Sequence, residues 1–125
     1  MNILVAEDNA ANRELLREAL GMKGHSVTEA ENGEEALARL EEFAPDMILL
    51  DIQMPKLDGY EVIRRIRLDE RWQKLKVIAL TAFAMRGEQE KALAAGFDGY
   101  VSEPITLSVL WAEIEKVKQS SDGMS

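Results

Sequence analysis

Apolar positions along this chain switch between two periods. Ile3-Leu4-Val5-Ala6 is a short apolar run stopped by Glu7-Asp8-Asn9, which reads as a buried strand. From Ala10 to Lys23 the period is helical, with Leu15, Leu16, Ala19 and Leu20 on one side, Asn9 as N-cap, and Gly21 and Gly24 closing the helix. His25 to Ala30 is a weaker strand that alternates Val27 with polar neighbours. Asn32-Gly33 turns into a helix from Glu34 to Phe43, with Ala36, Leu37, Leu40 and Phe43 inward. Met47-Ile48-Leu49-Leu50 is the most apolar run and ends abruptly at Asp51. A loop with Pro55 and Asp58-Gly59 opens a third helix carrying Val62, Ile63 and Ile66. Lys76 to Leu80 is a fourth strand, Arg86 to Ala95 a fourth helix and Phe97 to Val101 a fifth strand. A last helix spans Thr106 to Lys118 on a stripe of Leu107, Leu110, Ile114 and Val117.

Five successive strand–helix units predict a parallel sheet with helices on both faces, because parallel strands need crossover connections. The second strand is the poorest in apolar residues, which puts it at an edge. The expected fold is therefore α/β, a flavodoxin-like doubly wound parallel sheet of order 2-1-3-4-5. With 125 residues the chain supports one core, assigned to residues 1–118, with 119–125 as a flexible C-terminal tail.

Composition narrows the function. There is no Cys, which excludes disulfides and thiolate chemistry and favours a reducing cytoplasm. The start of the chain reaches acid too early for a signal peptide, and no run is long enough to span a membrane, so a cytoplasmic protein is expected. The formal net charge of -8 is the wrong sign for nucleic-acid binding, which needs Lys and Arg on phosphates.

Part of that acid sits where ligands bind. In the expected order, the crevice lies beyond the carboxyl ends of strands one and three. Strand one ends in Glu7-Asp8, strand three in Asp51, strand four in Thr81, and Ser102-Glu103-Pro104 follows strand five. Two carboxylates ~4 Å apart repel by about 4 kcal/mol at an effective dielectric of about 20. Protonation or a hard cation relieves that, and oxygen ligands with room for water suit Mg2+.

These residues carry a family resemblance. Glu7-Asp8-Asn9, the block Leu49-Leu50-Asp51-Ile52-Gln53-Met54-Pro55 with Asp58-Gly59, then Leu80-Thr81-Ala82 and Pro104 resemble the signature of response-regulator receiver domains of the CheY-like superfamily. The likeness runs from Met1 to about Lys118. Asn9, Asn12 and the run Thr81-Ala82-Phe83-Ala84-Met85 resemble receivers of hybrid kinases and the stand-alone regulators near them. The resemblance implies that Asp51 accepts a phosphoryl group from a histidine kinase or histidine phosphotransfer protein. It implies Asp8 and Asp51 as Mg2+ ligands, Glu7 as a ligand through water and Gln53 as one through its main-chain carbonyl. Thr81 is implied to hydrogen-bond the phosphoryl group, and Tyr100 to change rotamer with it; a half-buried Tyr100 with no signalling role is the alternative. Output is implied to pass through the face of the fourth helix, fifth strand and fifth helix, from a monomer or weak dimer without an output domain, nucleic-acid partner or membrane. No turnover enzyme is expected. Phosphatases of the haloacid-dehalogenase type need an acid two residues after the nucleophile, and here that residue is Gln53.

One position departs from the pattern. Where the family carries Lys before the last Pro, this chain has Glu103, an anion in place of a cation. Three readings stay open: Glu103 swings into solvent, joins the metal site as an extra ligand, or marks an impaired receiver that works as a phosphorylation-independent adaptor. Lys56 is read as a solvated loop residue, with partial substitution for the missing cation as the alternative. His25, the only His, reads as a surface residue, and Trp111 as a flank aromatic of the last helix. Trp72 has no motif around it.

Overall fold

The computed structural model describes residues 1–82 and 84–119. Of the tail expected over 119–125, Gln119 is instead the last residue of the final helix, and residues 120–125 lie outside the described residues, as does Phe83 of the run quoted above. Ten elements alternate: β1 (Asn2–Ala6), α1 (Ala10–Met22), β2 (Ser26–Ala30), α2 (Gly33–Glu42), β3 (Met47–Asp51), α3 (Gly59–Leu68), β4 (Lys76–Thr81), α4 (Glu88–Ala95), β5 (Gly99–Ser102) and α5 (Leu107–Gln119). The strands pair in parallel in the order β2-β1-β3-β4-β5, the flavodoxin-like arrangement expected. The apolar-poor β2 is the edge strand, as expected.

Strand alternation explains why the runs Ile3 to Ala6, Met47 to Leu50 and Val77 to Leu80 within β1, β3 and β4 are apolar at every position. Leu4, Ala6, Ile48, Leu50, Val77 and Ala79 enter the core under α2, α3 and α4. Their neighbours Ile3, Val5, Met47, Leu49, Ile78 and Leu80 enter a second core with Leu16 and Leu20 of α1 and Leu110, Ile114 and Val117 of α5. Each residue of a run is therefore buried, on alternate sides.

Three helices start on side-chain caps: Asn9 accepts from the Asn12 amide, Asn32 from Glu35 and Asp58 from Glu61, at 3.0, 2.8 and 3.0 Å. The fourth starts differently. Gly87 takes a left-handed φ of 83°, so α4 begins at Glu88 and not at Arg86. Strand β5 likewise begins at Gly99, two residues later than expected, and Phe97 is a core residue set edge-on to Tyr60.

The helix faces also need correction. Leu15 and Leu107, both expected in core stripes, are 41% and 37% exposed, and Gly21 lies inside α1. Each leucine has helical spacing toward a buried neighbour but sits on the flank of its stripe, beyond the width the sheet covers. Trp111 is a half-buried flank aromatic against the second core, as expected, with the Lys23 ammonium 5.1 Å from its ring centroid. Trp72 packs partly on the first core under Arg71, whose guanidinium also bridges Glu41 and Asp69. His25 is half-buried at the sheet edge, its Nδ1 3.1 Å from the N-terminal amine.

Candidate functional site

The register of the sheet builds the site. Ile3 to Ala6 pair in order with Met47 to Leu50, so the next residues, Glu7 and Asp51, end neighbouring strands on the same face. Thr81 ends β4, paired with Ser102, and Glu103 follows directly. Glu7, Asp51 and Thr81 are buried polar residues, 1%, 5% and 0% exposed, whereas Asp8 is exposed at the mouth. One carboxylate oxygen from each of Glu7, Asp8 and Asp51 lies within 4.8 Å of the others. A cavity of about 370 Å³ opens above them, lined by these three acids with Asn9, Asn12, Gln53, Ala82 and Glu103.

Backbone groups hold the acids in place. The Gln53 amide donates to Asp51 Oδ1 at 3.0 Å, and the Asn9 amide to Glu7 Oε2 at 3.2 Å. Gly59 makes the approach of α3 to the Asp51 loop possible: a Cβ there would stand 2.6 Å from the Asp51 carbonyl oxygen. Arg13, which motif reasoning passed over, donates to the carbonyls of Glu7 and Asp8 at 2.8 and 3.2 Å and lies 3.5 Å from Glu29. Its charge thereby braces the β1–α1 turn. No Lys or Arg lines the cavity among the described residues, and Lys56 is an exposed loop residue at φ 69°.

Glu103 is turned into this cavity. Its Oε2 is buried with no hydrogen-bond donor, and the same holds for Glu7 Oε1. The two carboxylates face each other, and neither donates unless a proton is shared. The solvent-swung reading of Glu103 is thereby removed.

The acids hold their protons unusually well. Burial raises Glu7 to about 7, with Asp51 adding to the rise. Burial likewise raises Asp51 to about 6 against the lowering effect of its hydrogen bonds, and Glu103 to about 7, with Glu7 as the next cause. Sequence reasoning expected like-charge crowding to drive such shifts; burial is the larger cause. The strand register sinks Glu7 and Asp51 below the rim of the cavity, where little water solvates their charge.

Two contacts around the cleft were invisible in the sequence. The Thr81 hydroxyl donates to Gln53 Oε1 at 3.2 Å, so the Gln53 side chain, and not its main chain alone, shapes the site. The Tyr100 hydroxyl donates to Glu88 Oε1 at 2.5 Å, tying β5 to the first turn of α4. Tyr100 is half-buried, and the Glu88 contact adds to burial in raising its pKa. A hydroxyl's chosen acceptor depends on elements far apart in sequence, and no spacing rule encodes it.

Known proteins share this arrangement. The family model for the response regulator receiver domain matches residues 3–115. The polar-differentiation response regulator DivK of Brucella anthropi is 38% identical over 106 residues, 85% of this chain and 86% of that protein. The receiver domain of a sensor histidine kinase from Pseudomonas aeruginosa PAO1, solved with a magnesium ion coordinated in its active-site cleft, superimposes with a TM-score of 0.86. It is 34% identical, over 95% of this chain and 98% of that one. A response regulator structure from Chloroflexus aurantiacus gives a TM-score of 0.88 at 27% identity, covering 93% and 95% of the two chains. With its fold, its strand-end acids and a family match over most of its length, the chain belongs to the response regulator receiver domains, the phosphoacceptor signalling modules of two-component systems.

Proposed function

We propose that Asp51 is the phosphoacceptor of this receiver. The buried position of Asp51 in a cleft lined by carboxylates and amides, with no basic side chain among the described residues, carries the assignment. In its ionised form an Asp51 oxygen attacks the phosphorus of a phosphohistidine on a kinase or phosphotransfer protein. A P–O bond forms, the P–N bond breaks, and the imidazole leaves with the electron pair. The Gln53 amide holds the Asp51 carboxylate in place through Oδ1. Thr81 supplies a hydroxyl to the transferred group on releasing Gln53, and the small Ala82 leaves it room. Tyr100 reports the change to α4, β5 and α5, the face offered to the downstream protein.

Receiver domains bind Mg2+ at an acidic pocket, and the residues here fit it: oxygen donors only, with one buried oxygen of Glu7 lacking a donor. Asp8, Asp51 and the main-chain carbonyl of Gln53 are the holding groups, with Glu7 behind them. Mg2+ held there neutralises charge on the phosphoryl oxygens. No helix among the described residues is long and apolar enough to cross a membrane, and a cytoplasmic signalling role fits that.

The test is to incubate the protein with Mg2+ and acetyl phosphate or phosphoramidate and weigh it intact. A single phosphoryl gain, lost in Asp51→Asn, is expected. Gain that persists in Asp51→Asn refutes the assignment. The inward Glu103 favours a second reading, a phosphorylation-independent adaptor, and a wild type that gains nothing supports it.

A further inference from the structure

We propose that Glu113 is a positioning residue of the switch: it holds Tyr100 and α5 together, so that phosphorylation of Asp51 frees α4 alone. The inference rests on the phosphoacceptor reading above and deepens its regulation.

Tyr100 is held by two carboxylates from two helices. Its hydroxyl donates to Glu88 Oε1 of α4, and its main-chain amide donates to Glu113 Oε2 of α5 at 2.8 Å. Strand β5 is the last in the sheet order, so no further strand of the sheet offers that amide an acceptor. The place is built for Glu113. A Cβ on residue 99 would stand 2.8 Å from Glu113 Oε2 and 2.8 Å from Val117 Cγ2, so Gly99 leaves the carboxylate room. Lys116 Nζ lies 3.3 Å from Glu113 Oε1, and the Glu113 side chain is only 15% exposed, so both of its oxygens are engaged.

The two helices are held unequally. Helix α5 buries Leu110, Ile114 and Val117 in the second core, whereas α4 has eight residues, no side-chain cap at Gly87 and Ala92 as its buried residue. Besides the Glu88 bond, Lys91 of α4 stands 4.7 Å from the centroid of the Tyr60 ring. Losing the hydroxyl bond when Tyr100 turns therefore removes a large share of what anchors α4. The amide bond is indifferent to that turn, because a side-chain rotamer change leaves the main chain in place. Its acceptor is ionised, which makes it strong enough to keep β5 and α5 in register. Tyr100 thus releases one helix while Glu113 keeps the other.

The test is hydrogen–deuterium exchange of the full chain, read by NMR in the unmodified protein and by pulse-labelling mass spectrometry after acetyl phosphate and Mg2+. Tyr100→Phe removes the hydroxyl and should speed exchange across α4 about tenfold, with α5 and the main-chain amide of residue 100 as in the wild type. Glu113→Met removes the acceptor at similar length and should speed exchange of the Tyr100 amide about tenfold. Glu113→Gln keeps an oxygen and should restore most of the protection; circular dichroism checks that each variant folds. Phosphorylation should loosen α4 but not α5 in the wild type, and both helices in Glu113→Met. Loosening of both helices in Tyr100→Phe or in the phosphorylated wild type overturns the proposal, as does a Tyr100 amide equally protected in Glu113→Met. Should Glu113→Met not fold, the other two proteins still decide. Intact mass separates the two claims: a wild type that gains no phosphoryl group removes the underlying reading and the switch with it, whereas a gain that loosens α4 and α5 alike removes the role of Glu113 alone.

Discussion

The Thr81 hydroxyl donates a hydrogen bond to the side-chain oxygen of Gln53 at 3.2 Å, across the wall of the cleft that ends in Asp51. Thr81 is fully buried, and in the role proposed for it above its hydroxyl turns from Gln53 to the phosphoryl group on Asp51. On that proposal Gln53 competes with the phosphoryl group for the Thr81 hydroxyl. A neutral hydrogen bond of this kind contributes about 1 kcal/mol, roughly a fivefold effect on an equilibrium or rate. Gln53→Ala should therefore gain phosphate from a small donor about fivefold faster. Intact-mass time courses check it, and an unchanged or slower rate would show that Gln53 does not restrain Thr81.

A second prediction concerns pH. Three acids bind protons more tightly folded than unfolded: Glu7 rises from 4.5 to about 7, Asp51 from 3.8 to about 6, and Glu103 from 4.5 to about 7. For acids raised in this way the stabilising contribution is complete below the unfolded values and is lost as pH climbs through the folded ones. His25, lowered by burial and the nearby N-terminus, acts in the opposite sense but is one group against three. The surface acids Glu41, Glu61 and Asp69, the last two half-buried, are lowered by their Arg partners, so they finish titrating below this window. With chelator present, the melting temperature should fall between about pH 5 and pH 8, and Mg2+ should restore it mainly at the upper end. A flat or rising profile would mean the three carboxylates are solvated.

Glu103→Lys should improve phosphorylation and weaken Mg2+ binding in the same protein. Lys at this position attracts the phosphoryl oxygens where Glu103 repels them, and it pairs with Asp51 in competition with the metal. A residual 1.4 kcal/mol, after screening by solvent and Mg2+, is about a tenfold change in the phosphorylated fraction. Extent of phosphorylation and a Mg2+ titration read both effects. If neither moves, the inward carboxylate has no part in the chemistry.

A pair of glycine variants separates site geometry from general stability. In Gly59→Ala the new Cβ would meet the Asp51 carbonyl oxygen at 2.6 Å and Ile52 Cα at 2.8 Å, both backbone atoms that cannot yield. A loss of about 1–3 kcal/mol in stability is expected, together with slower phosphorylation as Asp51 is displaced. Gly21→Ala, in α1, meets nothing within 4 Å and should stabilise by up to about 1 kcal/mol. Thermal melts with phosphorylation rates distinguish them. Equal behaviour of the two variants would mean that α3 does not press on the Asp51 loop.

Much of this protein is written locally. Runs such as Ile3 to Ala6 and Met47 to Leu50 are apolar at every position because both faces of a parallel sheet are covered, and the poor apolar content of β2 marks an edge. Glu7, Asp8, Asp51 and Thr81 were legible as one cleft for the same reason: strand ends in a doubly wound sheet meet at a known crevice. What the sequence left open depends on contacts between distant segments. Leu15 and Leu107 fit a helical stripe in spacing, but the width of the sheet beneath decides how far around a helix burial extends. The cap at Gly87 is a backbone conformation, and spacing cannot report it. The direction of Glu103, the Thr81 hydrogen bond to Gln53 and the depth that raises the acids' pKa values all follow from how β1, β3, β4 and the segment after β5 come together. Residue type named the chemistry; only the assembled strand ends decided which oxygen faces which, because that choice is made by burial and by partners supplied from elsewhere in the chain.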